Sequence, residues 1–360
     1  MAIVAYVDER LDERRTELWR EFNAGVPAAH FAQDPAWAEA ACGGRSEHSR
    51  SPYFFWCERD GAICLTALGV RRRLPVPRRV FWEFEHGPTL LDPSVLHEWL
   101  PWLIETLRSE AARLRLQPAM SLDAVGDEVE TILDAHGFVR RRAVGGWATL
   151  VVDLERPEDD ILASFRSRYR SRIRQSAGLG IEVTEEDGAG GRNALAALDA
   201  EMSARTGTQP TDASWIEAVS RDWCRDGTGG TIFVARLDGE PLAAVLVVAF
   251  RSTAHMLMMP SSRRHGNLPT SHRLLWDAMC WAKAQGFTEF DLDGYSLSAR
   301  PGDGLWGINQ FKRGFVPKGE PRKSVAIHER IFSPAIVSSA GAIRRLQARR
   351  RSRTGAMKED

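Results

Sequence analysis

Two acidic residues at the end of a short predicted strand are the first candidates for chemistry. Asp291 and Asp293 lie in the segment Phe290–Tyr295, and strand alternation places both on the face opposite Leu292. Polar side chains at the carboxyl end of a strand in an α/β sheet commonly border a ligand site. The pair could supply a general base, and salt bridges to nearby arginines are the alternative.

A lysine follows this strand in an apolar setting. Lys312 stands next to Phe311 in the segment Gly307–Phe315 and has apolar residues on both sides in sequence. These neighbours are compatible with a partly desolvated ammonium beside a pocket, where burial would disfavour its charge. An ordinary surface lysine is the competing interpretation.

Alternating arginines mark a predicted helix over Glu158–Ala177. They are Arg166, Arg168, Arg170, Arg172 and Arg174. At 100° per residue, Arg168 and Arg172 share one face and the other three share a second. Guanidinium groups bind phosphates bidentately, so the array could hold a polyanion. A solvated face that pairs with acidic residues is the alternative.

The loop Arg263–Pro269 lies between an apolar strand and a helix that begins near Thr270. Such a loop exposes backbone N–H groups at a helix N-terminus and can hold a phosphate. Acetyl-CoA enzymes of the GNAT superfamily use the pattern R/Q-x-x-G-x-G/A at this place. Arg263 and Gly266 match its first two fixed positions, whereas the branched side chain of Leu268 would crowd a pyrophosphate. An ordinary strand-to-helix turn is the other interpretation.

The elements that must position these residues occur twice. Asp60-Gly61 and Asp238-Gly239, 178 residues apart, are each flanked by β-rich runs and predict tight hairpins. Each hairpin is followed by an amphipathic helix and a short strand. These are Ser94–Leu114 with Met120–Leu122, and Thr270–Gln285 with Glu289–Leu292. The repeated order β-β-(β)-α-β predicts two similar α/β modules in tandem.

The remaining segments complete this prediction. Helices are expected over Ala194–Arg205 and Ala213–Arg225, with a loop at Gly188–Arg192 before them. The arginine-rich stretch Pro334–Asp360 predicts a basic helix that frays into a tail.

Composition excludes several classes of protein. The 360 residues carry 48 Lys plus Arg and 48 Asp plus Glu, which excludes a uniformly basic nucleic-acid coat. The longest apolar run, Leu242–Phe250, is far shorter than the ~20 residues of a membrane-spanning helix. The five cysteines form no CxxC pair, and neither HExxH, GxSxG nor a P-loop is present. A cytoplasmic protein without a metal is expected. A monomer is compatible with the sequence, which leaves the oligomeric state open.

The sequence resembles the Fem-type aminoacyltransferases, which build peptidoglycan interpeptide bridges, and their GNAT-like relatives. The matching segments run from His30 to Phe332. They are Phe31-Ala-Gln33-Asp-Pro-Ala-Trp37, Asp60-Gly61, Arg72-Arg73-Leu74-Pro75, Gly87-Pro88, Gly137-Phe138, Arg168-x-x-x-Arg172-Ile-Arg174-Gln-Ser-Ala177, Ala282-Lys-Ala-Gln-Gly286-Phe287, Phe290-Asp-Leu-Asp-Gly294 and Gly307-Ile308-x-x-Phe311-Lys312.

The resemblance implies an α/β chain of two tandem GNAT-like domains, acyl-CoA N-acyltransferase-like in fold, with a cleft between them. An N-terminal domain is expected over 1–148, with 318–345 as a candidate addition to it, a C-terminal domain over 149–317, and a basic, disordered tail over 346–360.

The resemblance also implies an enzyme that transfers an amino acid from aminoacyl-tRNA to an amine of a peptidoglycan precursor or a peptide-like natural product, without a further cofactor. Lys312 is the implied catalytic residue, because a cation stabilises the oxyanion formed in ester aminolysis. Asp291 and Asp293 are assigned beside it. Substrate binding is assigned to Phe311, Arg205, Trp37 and Tyr295, and tRNA binding to Arg168, Arg172 and Arg174.

Two other functions are kept as alternatives. One is an acyl-CoA-dependent N-acyltransferase, with acetyl-CoA as co-substrate, against which Leu268 counts. The other is a catalytically silent module that binds a peptide or RNA. Family members that bind UDP-linked precursors carry a lysine shortly after the tryptophan that matches Trp37, and here Glu39–Cys42 contains none.

Overall fold

The computed structural model describes residues 2–42, 50–74, 78–119, 124–141, 147–224, 229–266 and 268–339. The chain divides into two compact units, and each is built from segments that are distant in sequence. The first unit comprises Met1–Pro35, Ser46–Arg142 and Val325–Asp360, and the second comprises Ala36–Arg45 and Ala143–Ser324.

The strands are β1 (Val4–Asp8), β2 (Arg50–Arg59), β3 (Ala62–Arg73), β4 (Val80–Phe84), β5 (Thr89–Leu90), β6 (Ala111–Leu116), β7 (Val139–Arg140), β8 (Trp147–Thr149), β9 (Val151–Asp153), β10 (Glu182–Glu185), β11 (Gly230–Leu237), β12 (Glu240–Phe250), β13 (Thr253–Met258), β14 (Glu289–Asp291), β15 (Tyr295–Ser296), β16 (Arg322–Lys323) and β17 (His328–Ile331). The helices are α1 (Glu13–Gly25), α2 (Ala38–Ala41), α3 (Leu96–Leu107), α4 (Ala124–Ala135), α5 (Glu158–Ser164), α6 (Ser167–Gly178), α7 (Ala189–Thr206), α8 (Ala213–Asp222), α9 (Thr270–Ala284) and α10 (Gly304–Phe315), with short 3-10 helices at Phe31–Gln33, Pro35–Trp37 and Pro93–Val95. Residues 334–339 are also helical.

One sheet organises the first unit. Its strand order is β1-β2-β3-β4-β6-β17-β7, with β5 beside β3, and β4 runs parallel to β6. Alternate residues of these two strands, Trp82 and Leu114 among them, face the helix α3, which contributes Trp99 and Leu103 to the same core. The other residues of the two strands therefore point to the opposite face.

The second unit has a six-stranded sheet, β10-β11-β12-β13-β14-β9, and a three-stranded sheet, β15-β8-β16. Helix α9 lies on the larger sheet and buries its apolar stripe there, including Leu274, Leu275 and Met279. Burial of each such side chain stabilises the fold by about 1.5–3 kcal/mol. Strand β14 lies between β13, to which it is parallel, and β9, to which it is antiparallel. Strand β15, which follows β14 in the chain, pairs with β8, which precedes β9. The end of β14 therefore has neighbouring strands on both sides.

Both predicted hairpins are confirmed. Asp60 and Gly61 join β2 to β3 with φ of 56° and 79°, and Asp238 and Gly239 join β11 to β12 with φ of 50° and 80°. Two consecutive left-handed residues match the right-handed twist of the flanking strands, which is why Asp-Gly is favoured at such turns.

Several predicted boundaries are wrong. The helix expected over Ser94–Leu114 ends at Leu107, since the following residues pair with β4 as strand β6. The segment expected as one helix over Glu158–Ala177 breaks into α5 and α6, because Phe165 and Arg166 adopt extended backbone conformations. The predicted loop Gly188–Arg192 is the start of α7, with Gly188 as its N-cap.

Three expectations concern residues outside or largely outside the described part. The strand Met120–Leu122 and the arginines from Arg344 onward, with the tail 346–360, lie outside it.

Among the helices that the structure describes, none is long and apolar enough to cross a membrane.

Candidate active site around Lys312

Lys312 lies on α10, and the structure buries it. Its residue surface is 6% exposed, and its Nζ donates hydrogen bonds to the backbone carbonyls of Asp293, at 2.7 Å, and Gly294, at 2.9 Å. The surface-lysine interpretation is therefore wrong. An ammonium group has three donors, so among the described residues the backbone engages two of them and one is left for another acceptor.

A turn after β14 presents these two carbonyls. Leu292 still bonds to the carbonyl of Leu150, but Asp293 adopts a left-handed φ of 51° and ends the regular strand. Aspartate tolerates this conformation because its short polar side chain can bond locally. The backbone N–H of Asp293 donates to Oδ1 of Asp291 at 2.6 Å, and Oδ1 of Asp293 accepts the N–H of Gly294. Strand alternation therefore does not extend to Asp293, contrary to the sequence prediction.

An asparagine fixes α10 against the strand that follows this turn. Asn309 is buried, its amide Nδ2 donates to the carbonyl of Ser296 at 2.7 Å, and its Oδ1 accepts the N–H of Ser296 at 3.1 Å. Residues three apart share a helix face, so Asn309 and Lys312 face the same turn. Sequence reasoning missed Asn309, although an amide one helical turn before the lysine is a signal that could have identified it.

The two carboxylates have different environments. The Asp293 side chain is exposed, whereas Asp291 is half-buried and accepts a short hydrogen bond from the hydroxyl of Thr149. His255 Nδ1 lies 3.8 Å from Asp291 Oδ2. Burial raises the pKa of the Asp291 carboxyl, against the opposing effects of His255 and Thr149. Thr149 and His255 were not identified from the sequence, since each lies on another strand.

Burial in this site disfavours the charged form of Lys312. Burial lowers the pKa of its ammonium, and the negative charges of Asp293 and Asp291 oppose that shift. Low local dielectric strengthens the interaction of the remaining N–H with any anion that forms beside it. The arrangement is thus suited to stabilising a developing oxyanion or to exchanging a proton with substrate.

An aromatic cluster adjoins the lysine. Phe311, next to Lys312 in sequence, lies 5.3 Å from the ring of His272, 5.3 Å from that of Phe315 and 6.0 Å from that of Tyr169. Tyr169 also donates from its hydroxyl to the carbonyl of Gln310 at 3.3 Å. Helices α6, α9 and α10 therefore meet at this cluster.

His272 is the polar member of that cluster, and the sequence did not single it out. Its Nδ1 is buried and has no hydrogen-bond partner in the described part of the chain. Burial, together with the positive charges of Arg172 and Arg168, lowers the pKa of His272 to about 4. The imidazole is therefore neutral at physiological pH.

The arginine-bearing helix α6 is held against α10. The carbonyl of Gly314 accepts the backbone N–H of Arg166 at 2.9 Å. Gly314 also packs under the Tyr169 ring so closely that a Cβ there would lie 1.9 Å from Cζ. Arg168 is exposed and Arg172 half-buried, both within electrostatic reach of His272. Two of the predicted tRNA-binding arginines thus lie beside the aromatic cluster. Arg174, the third, is exposed on the same helix.

The other predicted substrate-binding residues differ in their surroundings. Tyr295 follows the carbonyls that hold Lys312, and its hydroxyl accepts a hydrogen bond from Arg313 at 3.2 Å. Arg205, at the end of α7, donates to the carbonyl of Ser261 at 3.1 Å. Trp37 is buried. Its ring packs edge-on against those of Trp215 and Trp223, at 6.3 and 5.7 Å. These contacts of Arg205 and Trp37 do not include Lys312.

The loop before α9 is occupied by its own contacts. The N–H of Arg264 donates to Ser262 Oγ at 3.1 Å, and that of Gly266 to the carbonyl of Arg263 at 3.0 Å. The Arg264 side chain pairs with both Glu201 and Glu240. Leu268 packs against the core of the unit, as its apolar side chain predicts. The N–H groups of Arg264 and Gly266 and the side chain of Arg264 are thus engaged, whereas Arg263, the arginine that matches the acetyl-CoA pattern, is exposed.

A metal site is not found among these groups. Within the described ranges, no three His, Cys, Asp or Glu side chains are clustered so that they could hold an ion.

Comparison with known proteins gives the class of the fold. Residues 163–313 match the family model of the acetyltransferase (GNAT) domain. A tandem GNAT protein from the clavulanic acid biosynthesis pathway is similar in structure, with a TM-score of 0.58 and 12% identity, over 92% of this chain and 99% of that protein's chain. The chain therefore has the mixed α/β fold of tandem GNAT proteins, as the sequence predicted.

Within that class, the likeness extends to FemX and L-PGS. FemX is similar with a TM-score of 0.74 and 16% identity, over 92% of this chain and 98% of the FemX chain. L-PGS from Bacillus licheniformis is similar with a TM-score of 0.54 and 15% identity, over 94% and 97% of the two chains. A comparison with curated protein sequences gave no match. The resemblance to the Fem type is confirmed at the level of the fold.

Proposed function

We propose that this chain is an aminoacyl-tRNA-dependent aminoacyltransferase, which forms an amide bond on an amine of a peptidoglycan precursor or of a peptide-like natural product. The observation that carries the proposal is the buried ammonium of Lys312. Within the part of the chain that the structure describes, the carbonyls of Asp293 and Gly294 accept two of its N–H groups and the third has no acceptor. The FemX-like fold supports the same activity.

The reaction is aminolysis of the ester that joins the amino acid to the tRNA. The acceptor amine attacks the ester carbonyl, and negative charge develops on the carbonyl oxygen. The remaining N–H of Lys312 donates to that oxygen, and such a preorganised donor typically contributes about 10²–10³ in rate. The carbonyl then re-forms, the bond to the ribose oxygen breaks, and that oxygen takes up a proton to leave as a hydroxyl group, which balances the proton that the amine loses.

The carboxylates take separate roles in this scheme. Asp293 is exposed and is placed to accept the proton that the attacking amine loses. Asp291 holds the N–H of Asp293 and thereby keeps the carbonyl of Asp293 on Lys312. Phe311 and Tyr295, next to Lys312 and to its carbonyl acceptors, contact substrate. Arg205 and Trp37 remain expected substrate contacts.

The arginines of α6 bind the tRNA backbone. Arg168 and Arg172 lie beside the cluster that contains Phe311, and Arg174 extends the positive charge along the same helix. Phosphate contacts release counterions, so the affinity for tRNA falls as the salt concentration rises. The slope of the logarithm of the binding constant against the logarithm of the salt concentration becomes steeper by about 0.7–0.9 for each phosphate that is neutralised.

An acyl-CoA-dependent N-acyltransferase is the second candidate. The GNAT family model over residues 163–313 favours it. The loop before α9 argues against it, because the N–H groups of Arg264 and Gly266 are already bonded and Leu268 stands at the third fixed position of the acetyl-CoA pattern.

Direct binding tests the two donors. Charged tRNA is titrated onto the protein at low and moderate salt, and acetyl-CoA is titrated in a thermal-shift assay. Saturable, salt-dependent tRNA binding without a shift by acetyl-CoA supports the aminoacyltransferase. Stabilisation by acetyl-CoA without tRNA binding would contradict the aminoacyl-tRNA donor and support the acyl-CoA-dependent N-acyltransferase.

A pair of double variants then locates the tRNA surface. Arg168→Ala with Arg172→Ala is expected to weaken tRNA binding and to reduce the salt slope by about 1–2. The control, Arg156→Ala with Arg192→Ala, removes the same net charge from two side chains that donate to the backbone carbonyls of Asp160 and Asp187. Equal losses in the two double variants would show a general charge effect and contradict the assignment.

A further inference from the structure

Two cysteines of the first unit lie in contact. Cys57 on β2 and Cys64 on β3 are both free thiols, and their sulfur atoms are 3.4 Å apart. Cys64 Sγ is also 3.4 Å from the carbonyl oxygen of Cys57. These residues flank the Asp60-Gly61 turn and take no part in the site around Lys312.

An irregularity in the hairpin creates this contact. Cys57 pairs with Leu65 and Glu58 pairs with Ile63, so Cys64 is an extra residue without a partner of its own. In a β-bulge, two residues of one strand oppose one residue of the other. Strict alternation would place Cys64 and Leu65 on opposite faces. Instead Cys57 and Leu65 belong to the buried core, and Cys64 packs against that same core.

The two thiols differ in access. Cys57 is fully buried, whereas Cys64 is half-buried, and the guanidinium of Arg59 lies close enough to act on Cys64 electrostatically. The hydrogen bond from Cys57 lowers the pKa of the Cys64 thiol, and Arg59 lowers it further against the effect of burial. The same hydrogen bond and burial raise the pKa of Cys57. Cys64 is therefore the better nucleophile and the more accessible of the two.

We propose that Cys57 and Cys64 are a modification site at which a hydroperoxide oxidises the two thiols to an intramolecular disulfide. The Cys64 thiolate attacks the terminal OH oxygen of the peroxide, the O–O bond breaks, and the second oxygen leaves as hydroxide from hydrogen peroxide or as alkoxide from an alkyl hydroperoxide. The leaving group takes a proton to become water or an alcohol, respectively. Cys64 is then a sulfenic acid. The Cys57 sulfur attacks the Cys64 sulfur, the S–O bond breaks, and the hydroxide leaves with the Cys57 proton as water. The pair loses two electrons, which reduce the peroxide.

The closure is local. A disulfide has an S–S bond of about 2.05 Å, so the two sulfur atoms must approach by about 1.4 Å from their present 3.4 Å. Cys64 is next to Leu65, the residue that pairs with Cys57, so the two cysteines lie on adjacent strands within one residue of register. Side-chain rotation can therefore supply most of the movement, without a change in strand pairing.

Mass spectrometry of the full chain tests the site directly. The reduced protein is treated with hydrogen peroxide, then alkylated under denaturing conditions. The expected product has three alkylated thiols instead of five, and its mass before alkylation falls by about 2 Da. Trypsin cleaves after Arg59, between the two cysteines, so peptides 51–59 and 60–71 are expected to travel together until a reductant separates them. Five retained thiols, under peroxide that fully oxidises glutathione, would overturn the proposal.

Two serine variants test the order of the steps. Cys57→Ser is expected to leave a sulfenic acid at Cys64, which the 1,3-diketone dimedone traps. Cys64→Ser is expected to slow loss of the Cys57 thiol at least tenfold. Cys224 and Cys280 are internal controls, because burial raises the pKa of each thiol to about 12. Oxidation of Cys57 at the same rate in wild type and in Cys64→Ser would refute the proposal that the two cysteines react as a pair. The wild-type peptide map decides the proposal even if a serine variant fails to fold.

Discussion

The neutral imidazole of His272 makes a quantitative prediction about stability and pH. Its ordinary pKa is 6.5, and burial with the charges of Arg172 and Arg168 lowers the pKa to about 4 in the folded chain. Between these values the unfolded chain binds a proton that the folded chain does not. The contribution of the neutral His272 ring to the free energy of unfolding is thus complete above pH 6.5, and it is lost as the pH falls from 6.5 towards 4.

The size of this effect follows from the shift in pKa. A displacement from 6.5 to about 4 removes about 2 kcal/mol of stability at pH 5, and about 3 kcal/mol at pH 4, relative to neutral pH. These are upper values, because the ring is half-buried and water screens part of the charge. His272→Phe removes the titration and keeps an aromatic ring beside Tyr169 and Phe311.

Urea unfolding of wild type and His272→Phe at pH 7, 6 and 5 measures this contribution. The difference in free energy of unfolding is expected to shift in favour of the variant between pH 7 and pH 5, by at most about 2 kcal/mol. His97→Gln removes an exposed histidine and serves as the control. Its curve is expected to stay within about 0.5 kcal/mol of wild type. Parallel pH curves for wild type and His272→Phe would refute the reasoning that burial and the two arginines keep the ring neutral.

Two further predictions concern α10. Lys312→Met is expected to lower the single-turnover rate of aminoacyl transfer about 10²–10³-fold while charged tRNA still binds, and an unchanged rate would remove Lys312 from its assigned role. Gly314→Ala places a Cβ 1.9 Å from the Tyr169 ring and is expected to destabilise the fold by about 1–3 kcal/mol in thermal or urea unfolding. Gly307→Ala on the same helix meets nothing within 4 Å and is expected to stabilise it by about 0.5–1 kcal/mol. Similar effects from the two glycine variants would contradict the close packing of α6 on α10.

The hairpin turns and the principal helix of the second unit follow from local sequence. Asp60-Gly61 and Asp238-Gly239 prescribe left-handed turns because few other residue pairs tolerate two positive φ values in succession. The helix expected over Thr270–Gln285 is observed as Thr270–Ala284, since its apolar residues repeat with the helical period and have one sheet to cover. In such segments, short-range geometry and burial favour the same structure.

Local pattern failed where long-range pairing competes with it. Ala111–Leu116 continues the apolar pattern of the helix before it, yet hydrogen bonds to the parallel strand Val80–Phe84 make it a strand. The break between α5 and α6 likewise has no strong signal, because Phe165 and Arg166 are both tolerated in a helix. Tertiary pairing overrides weak propensities of this kind.

The amino-acid sequence by itself determined which groups are available: one lysine next to Phe311, two aspartates at a strand end and an alternating run of arginines. Only the tertiary structure decided that Lys312 is buried, that the carbonyls of Asp293 and Gly294 are its acceptors, and that Thr149, 142 residues away, holds Asp291. The physical reason is that the hydrogen bonds and pKa of a charged group depend on the dielectric and the dipoles around it. Those are supplied by residues remote in sequence, which meet only when the chain folds.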